Sequence, residues 1–241
     1  MKRLLDFSVS FIGLLLFAPI LLPVIFIVWI QDFKSPFYIP FRVGKNKMLF
    51  KMIKLRSMIV NADSSGVDST GINDKRITRI GKIIRKFKLD ELSQLWNVLM
   101  GDMSLVGPRP NVKKETDLYT DIENDLFSVK PGITDISSIV FSDEGDILAD
   151  KPDPDLAYNQ LIRPWKSRLG LIYIKNQSLV LDIQLIFLTV VSVFSRDLAL
   201  AGVVKILSKL EVDNEIIEIS KRKGDLYPFP PPGSDKIVEN R

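Results

Sequence analysis

Residues 88–110 read KLDELSQLWNVLMGDMSLVGPRP, and the rest of the chain is organised around this stretch. Its two adjacent carboxylates, Asp90 and Glu91, open an apolar segment that we predict to be a helix ending at Gly101. Acidic residues in the first turn of a helix also stabilise it by complementing the helix dipole, so the pair has a purely structural explanation as well. The stretch closes with Arg109 between two prolines, which restrict the backbone on both sides of it. An arginine held in this way can bind a phosphate in bidentate fashion.

The composition of the 241-residue chain limits the chemistry open to these residues. The chain has no Cys and no His. Disulfides, thiolate nucleophiles and the usual zinc ligands are therefore excluded, as is the side chain best suited to proton transfer near neutral pH. Polar chemistry must come from carboxylates, hydroxyls, amines and guanidinium groups. A bound metal would be a hard ion such as Mg²⁺ on oxygen ligands.

Charge is distributed unevenly along the chain. Residues 1–110 contain 17 Lys and Arg against 8 Asp and Glu, a net charge of +9. Residues 111–241 contain 16 against 21, a net charge of −5. Seven of the cations lie between Lys75 and Lys88, directly before the two acids. The first half is therefore suited to anions such as phosphates, nucleotides or acidic lipid headgroups.

The N-terminal segment predicts a membrane helix. Phe7 to Ile30 is 24 residues without a charge, which is long enough to span a bilayer and unlike a cleaved signal peptide. Pro19 and Pro23 interrupt it, and basic residues flank both of its ends. The pattern fits a re-entrant helix that breaks near Pro19 and returns to the same side. An ordinary span with a proline kink fits almost equally well.

Residues 37–56 predict a small β-hairpin around a turn at 43–47. If the second strand persists, Lys54 and Arg56 project in the same direction, because side chains alternate along a strand. These two cations either face solvent or point toward a phosphate.

Two further segments separate the hairpin from the acids. Residues 61–73 are rich in Ser, Asp and Gly and predict a surface loop. Residues 74–87 predict an amphipathic helix with a basic face, which would suit an anionic membrane, a nucleic acid or simply solvent.

Together, these motifs closely resemble the bacterial sugar transferases, the monotopic polyprenyl-phosphate phosphoglycosyl transferases that begin glycan assembly. The matching runs are DKRITRIG at 74–81, LDELSQLWNVL at 89–99, GDMSLVGPRP at 101–110, RVG at 42–44, KLRSM at 54–58 and KPGIT at 130–134. The central motif is more than thirty residues long and is highly specific. The resemblance extends from Lys2 to about Phe194.

The resemblance implies a two-step mechanism. Asp90 would attack the sugar-bearing phosphate of a UDP-sugar and release UMP, and a polyprenyl phosphate would then take the phosphosugar. Glu91 would be associated with Mg²⁺, and Pro19 would break the re-entrant helix. The candidates for binding substrate phosphate are Arg109, Lys54, Arg56 and Arg85.

The sequence patterns and the resemblance together predict an architecture. We expect an α+β fold, mainly helical, in which a small β-hairpin and amphipathic interfacial helices surround a compact catalytic core. Residues 1–33 would form the re-entrant membrane helix, 34–200 the catalytic sugar transferase domain, and 201–241 a C-terminal helix with a loosely ordered Pro-rich tail. Within the catalytic domain, residues 179–194 predict an interfacial or packed helix, because they are short for a span.

The expected partners are a UDP-sugar, undecaprenyl phosphate and the lipid bilayer, and we expect no nucleic acid. The expected location is the cytoplasmic face of the bacterial inner membrane. Whether the chain forms a homodimer stays open.

Some residues depart from the family pattern. Lys88 stands where Ser or Thr is common in the family, and Ser93 stands where Pro is common. Residues 135–139 read DISSI, whereas many relatives have a sequence of the GLAQV type there. The central chemistry survives these changes, but they put the sugar preference in doubt.

A different class of function would be a membrane-tethered scaffold or nucleic-acid-binding protein that uses residues 75–88 as a basic surface. This alternative leaves the acids and Arg109 unexplained. A third alternative is an inactive relative kept as an assembly partner, and the intact Asp90–Glu91 pair argues against it.

Overall fold

The computed structural model describes residues 1–66, 70–71 and 74–240, over which the chain is mainly helical with three small two-stranded sheets. The strands are β1 Phe37–Tyr38, β2 Phe41–Val43, β3 Leu49–Lys51, β4 Lys54–Leu55, β5 Ser104–Val106 and β6 Gly132–Thr134. The helices up to the middle of the chain are α1 Lys2–Ile30, α2 Arg79–Lys86, α3 Leu89–Leu92, α4 Leu95–Met100, α5 Lys113–Thr116, α6 Ile136–Val140 and α7 Glu144–Ile147. The later helices are α8 Pro154–Ala157, α9 Arg163–Asn176, α10 Leu179–Phe194, α11 Arg196–Lys209 and α12 Asn214–Ser220. The predicted mainly helical α+β class is confirmed.

Helix α1 continues through both of its prolines, Pro19 and Pro23. The backbone is assigned as one helix from Lys2 to Ile30, and the break near Pro19 stays a prediction. Each proline removes only one backbone donor, and the turns on either side can close around it. Within the described part of the chain, α1 is the one helix whose length and composition would allow it to cross a membrane. Whether it re-enters or spans stays a prediction.

Both ends of α1 lie against the same folded part of the chain. Near its start, the Asp6 carboxylate accepts a hydrogen bond from the Leu105 amide at 2.9 Å. Near its end, Val28 packs with Leu55 and Ile84 in a small apolar cluster. The helix is therefore held at two places along its length.

The hairpin predicted over residues 37–56 is confirmed as two consecutive antiparallel pairs, β2–β3 and β1–β4. The connection passes through Lys45–Lys47, where Asn46 has a positive φ of 54°. Strand β4 ends at Leu55, so Arg56 lies outside it. The hairpin packs against α3 through β4 and so brings Lys54 to the acids.

Helix α2 begins at Arg79, later than the predicted start at residue 74. Thr78 caps it, because its hydroxyl accepts a hydrogen bond from the Gly81 amide at 2.9 Å. The residue before this cap, Ile77, forms a β-bridge with Met58 and so is held in extended structure. The predicted surface loop at 61–73 lies partly outside the described residues, and a short 3₁₀ turn occupies its start.

The helix predicted over residues 89–99 is divided into α3 and α4. Lys88 has a left-handed φ of 52°, which separates α2 from α3. The Ser93 hydroxyl donates to the Asp90 carbonyl at 2.8 Å, at the point where α3 gives way to α4. The predicted stop at Gly101 is confirmed by its φ of 96°.

A parallel pair of strands, β5 and β6, places two later segments side by side. The backbones touch so closely that a Cβ on Gly132 would lie 2.1 Å from the Gly107 nitrogen. Because parallel strands end at the same edge, Arg109 after β5 and Asp135 after β6 emerge next to each other. The Arg109 Nη1 donates to the Ile133 carbonyl at 3.1 Å.

Helix α10 has the predicted bounds of Leu179–Phe194 and is packed on one side only. Leu185 is fully buried, whereas Phe187 and Phe194 are 66% and 86% exposed. This exposed apolar side would suit a membrane interface, which stays a prediction.

The C-terminal segment differs from the expectation of a loosely ordered tail. The Phe229 ring stacks on Trp165 with 4.3 Å between the ring centroids. Gln160 donates to the Val238 carbonyl at 2.7 Å. Aromatic stacking on Trp165 of α9 and hydrogen bonds with Gln160, just before α9, together hold the tail in place, which composition alone does not reveal.

Candidate functional site

The two predicted acids lie on the short helix α3, and each faces a cation from another segment. Lys54 of β4 places its Nζ 3.5 Å from Asp90 Oδ2. Arg109 places its Nη2 2.7 Å from Glu91 Oε1. The acidic side chains are 13% and 19% exposed, so both are largely withdrawn from water but still reachable.

Glu91 is held in its ionised form by its surroundings. Burial by itself would raise the pKa of this carboxyl, but the charges of Arg109, Lys88 and Lys54 outweigh it and lower the pKa. The same contact acts on Arg109, where Glu91 raises the guanidinium pKa against the effect of burial. Glu91 and Arg109 therefore remain charged together at neutral pH.

Lys54 is a cation whose charge depends on the acids beside it. Burial lowers the pKa of its ammonium, and the neighbouring charges of Arg109 and Arg42 act in the same direction. Asp90 and Glu91 oppose this shift. A further negative group arriving at the site, such as a phosphate, would stabilise the protonated form of Lys54 more strongly.

The four predicted phosphate-binding residues are thus divided by the structure. Lys54 and Arg109 contact the acids directly. The Arg85 Nε donates to the Ser57 hydroxyl at 3.0 Å, and burial lowers its pKa while the charge of Asp90 opposes that shift. Arg85 therefore lies at the edge of the site.

Arg56 is engaged elsewhere. Its Nη2 donates to the Val28 carbonyl at 3.2 Å, in the last turn of α1, and to Asp32 Oδ1 at 2.6 Å, just beyond the helix. Since β4 ends before Arg56, this residue does not share the direction of Lys54, contrary to the expectation of a persisting strand. In the structure, Arg56 links the end of α1 to the hairpin.

Two pockets flank the Pro-Arg-Pro segment, and sequence reasoning did not identify them. One is mostly apolar and includes Val43, Phe127, Val129 and Pro131 in its lining. The other is polar and includes Asp135, Ser137, Tyr158, Arg163, Lys166 and Ser167. These side chains come from separate segments that form no continuous motif, so only the fold brings them together.

The polar pocket is built on a hydrogen-bonded base. Asn111 donates to the Tyr119 hydroxyl at 2.7 Å, and burial raises the pKa of that hydroxyl, keeping it protonated. Arg163 and Glu123 form a fully buried ion pair beneath it. Lys166 pairs with Glu144 at the rim. The pocket is therefore rich in groups whose positions are fixed before a ligand arrives.

The carboxylates of Asp90 and Glu91 are ligands of the kind that hard cations such as Mg²⁺ use. Across residues 1–66, 70–71 and 74–240, no group of three or more acidic side chains could hold a metal ion. Mg²⁺ commonly uses one or two carboxylates and takes its remaining ligands from substrate phosphates and water. Asp90 and Glu91 supply two carboxylates, so the residues fit an ion that a phosphorylated substrate helps to bind.

The site therefore combines a pair of acids, two cations directed at them and two adjoining pockets, all in a chain that begins with a long apolar helix. Such an arrangement is suited to binding an anionic ligand. The family described as bacterial sugar transferase matches residues 1–196, and the chain belongs to this family. The resemblance drawn from the sequence motifs is thereby confirmed.

Similarity to individual proteins extends over most of the chain. It is 34% identical over 193 residues to the UDP-N-acetylgalactosamine-undecaprenyl-phosphate N-acetylgalactosaminephosphotransferase of Aeromonas hydrophila, which covers 78% of this chain and 42% of that protein. It is 36% identical over 193 residues to the UDP-glucose:undecaprenyl-phosphate glucose-1-phosphate transferase of Klebsiella pneumoniae, covering 78% and 39%. It is 31% identical over 207 residues to the exopolysaccharide production protein ExoY of Rhizobium meliloti (strain 1021), covering 80% and 84%. The chain thus spans about two fifths of the length of the first two relatives.

Proposed function

We propose that this chain transfers a sugar-1-phosphate from a UDP-sugar to undecaprenyl phosphate, releases UMP and so begins the assembly of a bacterial surface glycan. The names of the Aeromonas and Klebsiella relatives support this class of substrates. The observation that carries the proposal is the Asp90–Glu91 pair with Lys54 and Arg109 directed at it. Cations of this kind stabilise the charge that develops on a transferring phosphoryl group.

We further propose that Asp90 is the nucleophile of a two-step transfer. One Asp90 oxygen forms a bond to the phosphorus that carries the sugar. The bond from that phosphorus to the oxygen bridging the two phosphates breaks, and its electron pair leaves with UMP. An oxygen of undecaprenyl phosphate then attacks the same phosphorus and frees the Asp90 carboxylate. Asp90 suits this role because its shorter side chain is held close to the helix and its contact with Lys54, at 3.5 Å, is looser than the 2.7 Å contact of Glu91 with Arg109.

Glu91, with the diphosphate of the substrate, would hold Mg²⁺, which would supply charge neutralisation on the phosphate oxygens. The Arg109 bond occupies Glu91 Oε1 and does not involve Oε2. Arg109 itself has a second anchor in the Ile133 carbonyl, so its guanidinium keeps its orientation when a phosphate approaches.

The mechanism is tested by omitting the lipid. With a UDP-sugar and Mg²⁺ alone, the enzyme should release UMP up to one equivalent and gain the mass of a phosphosugar. Asp90→Asn should abolish both, because an amide is a poor nucleophile, while folding is kept since Asn also suits a helix start. Asp117→Asn, which changes an acid that is 58% exposed, is the matched control and should behave like the parent.

Substantial turnover by Asp90→Asn would contradict the role of Asp90. Transfer by the parent with no detectable adduct would favour direct attack by the lipid phosphate, with the acids serving only as a metal site.

The proposed location is the cytoplasmic face of the bacterial inner membrane, with both ends of α1 on that side. The support is that Lys2, at one end, binds Asp182 at 2.6 Å, while Val28, near the other, packs with Leu55. Because both ends of α1 contact the same folded part of the chain, that part and both helix ends are expected on the same side of the membrane.

Because the chain has no Cys, topology can be tested with single cysteines. One is inserted after Met1, and a second variant carries Lys34→Cys, at an exposed position just beyond α1. An impermeant maleimide added to intact spheroplasts should label neither, and both should react once the membrane is permeabilised. Labelling of either one from the periplasm would exclude the re-entrant arrangement.

A further inference from the structure

The end of the chain lies across two segments that are distant from each other in the sequence. We call residues 227–238 the C-terminal strap. It lies beyond residues 1–196, the range that matches the family. The strap contains no helix or strand, yet Pro231 and Pro232 within it are buried. Specific contacts must therefore hold this irregular segment in place, and they fall into two groups.

The first group of contacts anchors the strap to α9 and to the residues just before it. The Phe229 ring stacks on Trp165, with 4.3 Å between the ring centroids, and the Arg168 guanidinium lies 4.8 Å from the centre of the Phe229 ring. Arg168 also donates to the Pro230 carbonyl at 3.0 Å. The Phe229 amide donates to the Gln160 carbonyl at 3.0 Å. Stacking, a cation–π contact and a hydrogen bond therefore meet at Phe229, which is the anchor of the strap.

The second group of contacts joins the strap to a turn at residues 119–122, which we call the Tyr119 turn. The Thr120 hydroxyl donates to the Pro232 carbonyl. At the next strap residue, Gly233, a Cβ would lie 3.0 Å from Ile122 Cγ1, so the strap backbone packs closely on this turn. The strap therefore connects α9 with the Tyr119 turn.

The Tyr119 turn carries a side chain of the candidate site. Tyr119 borders both pockets beside Arg109. Its hydroxyl accepts a hydrogen bond at 2.7 Å from the side chain of Asn111, which directly follows the Pro-Arg-Pro segment. The Asn111 carbonyl accepts from the Val43 amide at 3.0 Å, in the hairpin that also carries Lys54. The backbone on the C-terminal side of Arg109 is thus held by the Tyr119 turn and by the hairpin.

Resting on the proposed function, we propose that the C-terminal strap positions Arg109 for the phosphate of the substrate, with Phe229 and Thr120 as its positioning residues. Phe229 anchors the strap on α9, and the strap holds the turn through Thr120. The adjacent Tyr119 binds Asn111, which fixes the backbone beside Arg109. A displacement of about 1 Å at a group that binds substrate can lower a rate roughly a hundredfold, so loosening this path is measurable.

The competing explanation is that the strap only stabilises the fold. A purely structural role would lower the amount of folded enzyme by the same factor whatever residue stands at position 109. A positioning role acts through the guanidinium of Arg109 and therefore depends on it. A double-mutant cycle with Arg109→Lys separates the two explanations, because the effects of residues that act through one another are not additive.

Two substitutions loosen the strap, and each has a matched control. Phe229→Leu keeps an apolar side chain but removes the ring that stacks on Trp165. Its control is Tyr227→Phe, which keeps a strap ring and removes only a hydroxyl that donates to Glu215 of α12 at 2.9 Å. Thr120→Val removes the hydroxyl that reaches the strap at nearly constant size. Its control is Thr120→Ser, which retains that hydroxyl.

The first measurement is hydrogen exchange of the full-length parent and variants without substrate, read by mass spectrometry over residues 119–127. Phe229→Leu and Thr120→Val should speed exchange there roughly tenfold, the effect of about one lost hydrogen bond on local opening. Tyr227→Phe and Thr120→Ser should exchange at the parental rate. This measurement tests the hold of the strap on the turn independently of catalysis.

The second measurement is kcat/KM for UMP release with undecaprenyl phosphate and the best substrate among UDP-glucose, UDP-galactose and their N-acetylated amino-sugar counterparts. In the parent, Phe229→Leu and Thr120→Val should each lower kcat/KM roughly tenfold, with both controls unchanged. In the Arg109→Lys background, the same substitutions should lower it by less than about twofold. The UMP released without lipid counts the competent enzyme and should stay near one equivalent in the strap variants.

An equal fall of kcat/KM in both backgrounds would reduce the strap to a structural support and overturn the proposal. Parental exchange and parental kcat/KM in both loosened variants would overturn it as well. If Phe229→Leu folds poorly, the comparison of Thr120→Val with Thr120→Ser decides alone, since only one of them retains the hydroxyl. A parent that releases no UMP from any of these sugars would overturn the proposed function and this proposal with it, whereas failure of the strap alone leaves an active parent.

Discussion

Two Arg–Glu ion pairs lie on either side of the polar pocket and are built differently. In the pair of Arg109 with Glu91, the side chains are 29% and 19% exposed. In the pair of Arg163 with Glu123, they are 1% and 0% exposed. The chemical partners are the same, so the difference between the pairs comes from their surroundings.

The buried pair is saturated. Besides Glu123, the Arg163 guanidinium donates to the Asn159 side chain at 2.9 Å and to the Leu118 carbonyl, and it stacks over the Tyr119 ring. Glu123 in turn also accepts a hydrogen bond from the Ser167 hydroxyl at 2.6 Å. Such a pair has little capacity for a new partner, so its role is structural.

The pair of Arg109 with Glu91, which is only partly exposed and is called the exposed pair below by contrast with the buried one, has fewer partners. Arg109 has contacts to Glu91 and to the Ile133 carbonyl, and it borders both pockets. A guanidinium has five donors, so this one can add a phosphate without giving up its anchors. The comparison indicates that exposure and incomplete hydrogen bonding, rather than the ion pair itself, distinguish a site residue from a structural one.

The largest expected difference between the pairs is in stability. Arg163→Met would leave the Glu123 charge buried without its cation, which should lower the free energy of unfolding by about 3–5 kcal/mol. Arg109→Met should lower it by about 1 kcal/mol or less, because water and Lys54 can still reach Glu91. Urea unfolding of the detergent-solubilised variants, followed by tryptophan fluorescence, measures both values. Equal losses would show that the exposed pair is as structural as the buried one.

A smaller effect is expected on catalysis from a change that keeps the charge. Arg109→Lys retains the cation but loses the planar fork, so one charged hydrogen bond to the phosphate is lost, and kcat/KM should fall roughly ten- to hundredfold. Release of UMP measures this fall. Lys113→Arg, at a surface pair outside the site, is the control for a change of cation type. Near-normal turnover of Arg109→Lys would mean that the arginine only positions Glu91.

Much of this site could be predicted from the sequence, because its central residues are close together in the chain. The acids, the proline-bounded arginine and the hairpin lysine all belong to motifs, and the structure brings Lys54 and Arg109 to the acids. The hairpin and the stop at Gly101 also follow from local turn chemistry. Where local rules decide the structure, the sequence was sufficient.

The rest depends on contacts between distant segments. The late start of α2 follows from the Ile77–Met58 bridge, and the direction of Arg56 follows from the end of α1, neither of which leaves a local pattern. The tail docks through Phe229 on Trp165, although its composition is typical of loose segments. The polar pocket likewise gathers side chains from several elements around Asp135. Secondary-structure propensity and hydrophobic periodicity carry no information about contacts between segments that are distant in the sequence.

The smallest expected effect is on the pH dependence of the exposed pair. Since the pKa of Glu91 is lowered in the folded protein, ionised Glu91 contributes stability above its unfolded pKa and loses that contribution as pH falls through the folded pKa. Arg109→Gln removes the cation with the largest influence on this carboxyl and so raises its pKa. The stability difference between the parent and Arg109→Gln should therefore be greatest near neutral pH. It should shrink as pH falls through the raised pKa of Glu91 in the variant, and it should vanish below the lowered pKa of Glu91 in the parent, where the parent has lost its ion pair as well.

Urea unfolding at a series of pH values between 7 and 3.5, run in parallel for the two proteins, tests this, with the range chosen around the ordinary glutamate pKa of about 4.3. Repeating the comparison in a Glu91→Gln background supplies the control, because the effect of Arg109→Gln should there depend much less on pH, with only Asp90 and Glu144 left as acidic neighbours of Arg109. A difference that persists unchanged into acid in the parent background would mean that Arg109 stabilises the protein through the Ile133 carbonyl rather than through Glu91. The exposed pair would then resemble the buried one in function as well as in chemistry, and the distinction between them would fail.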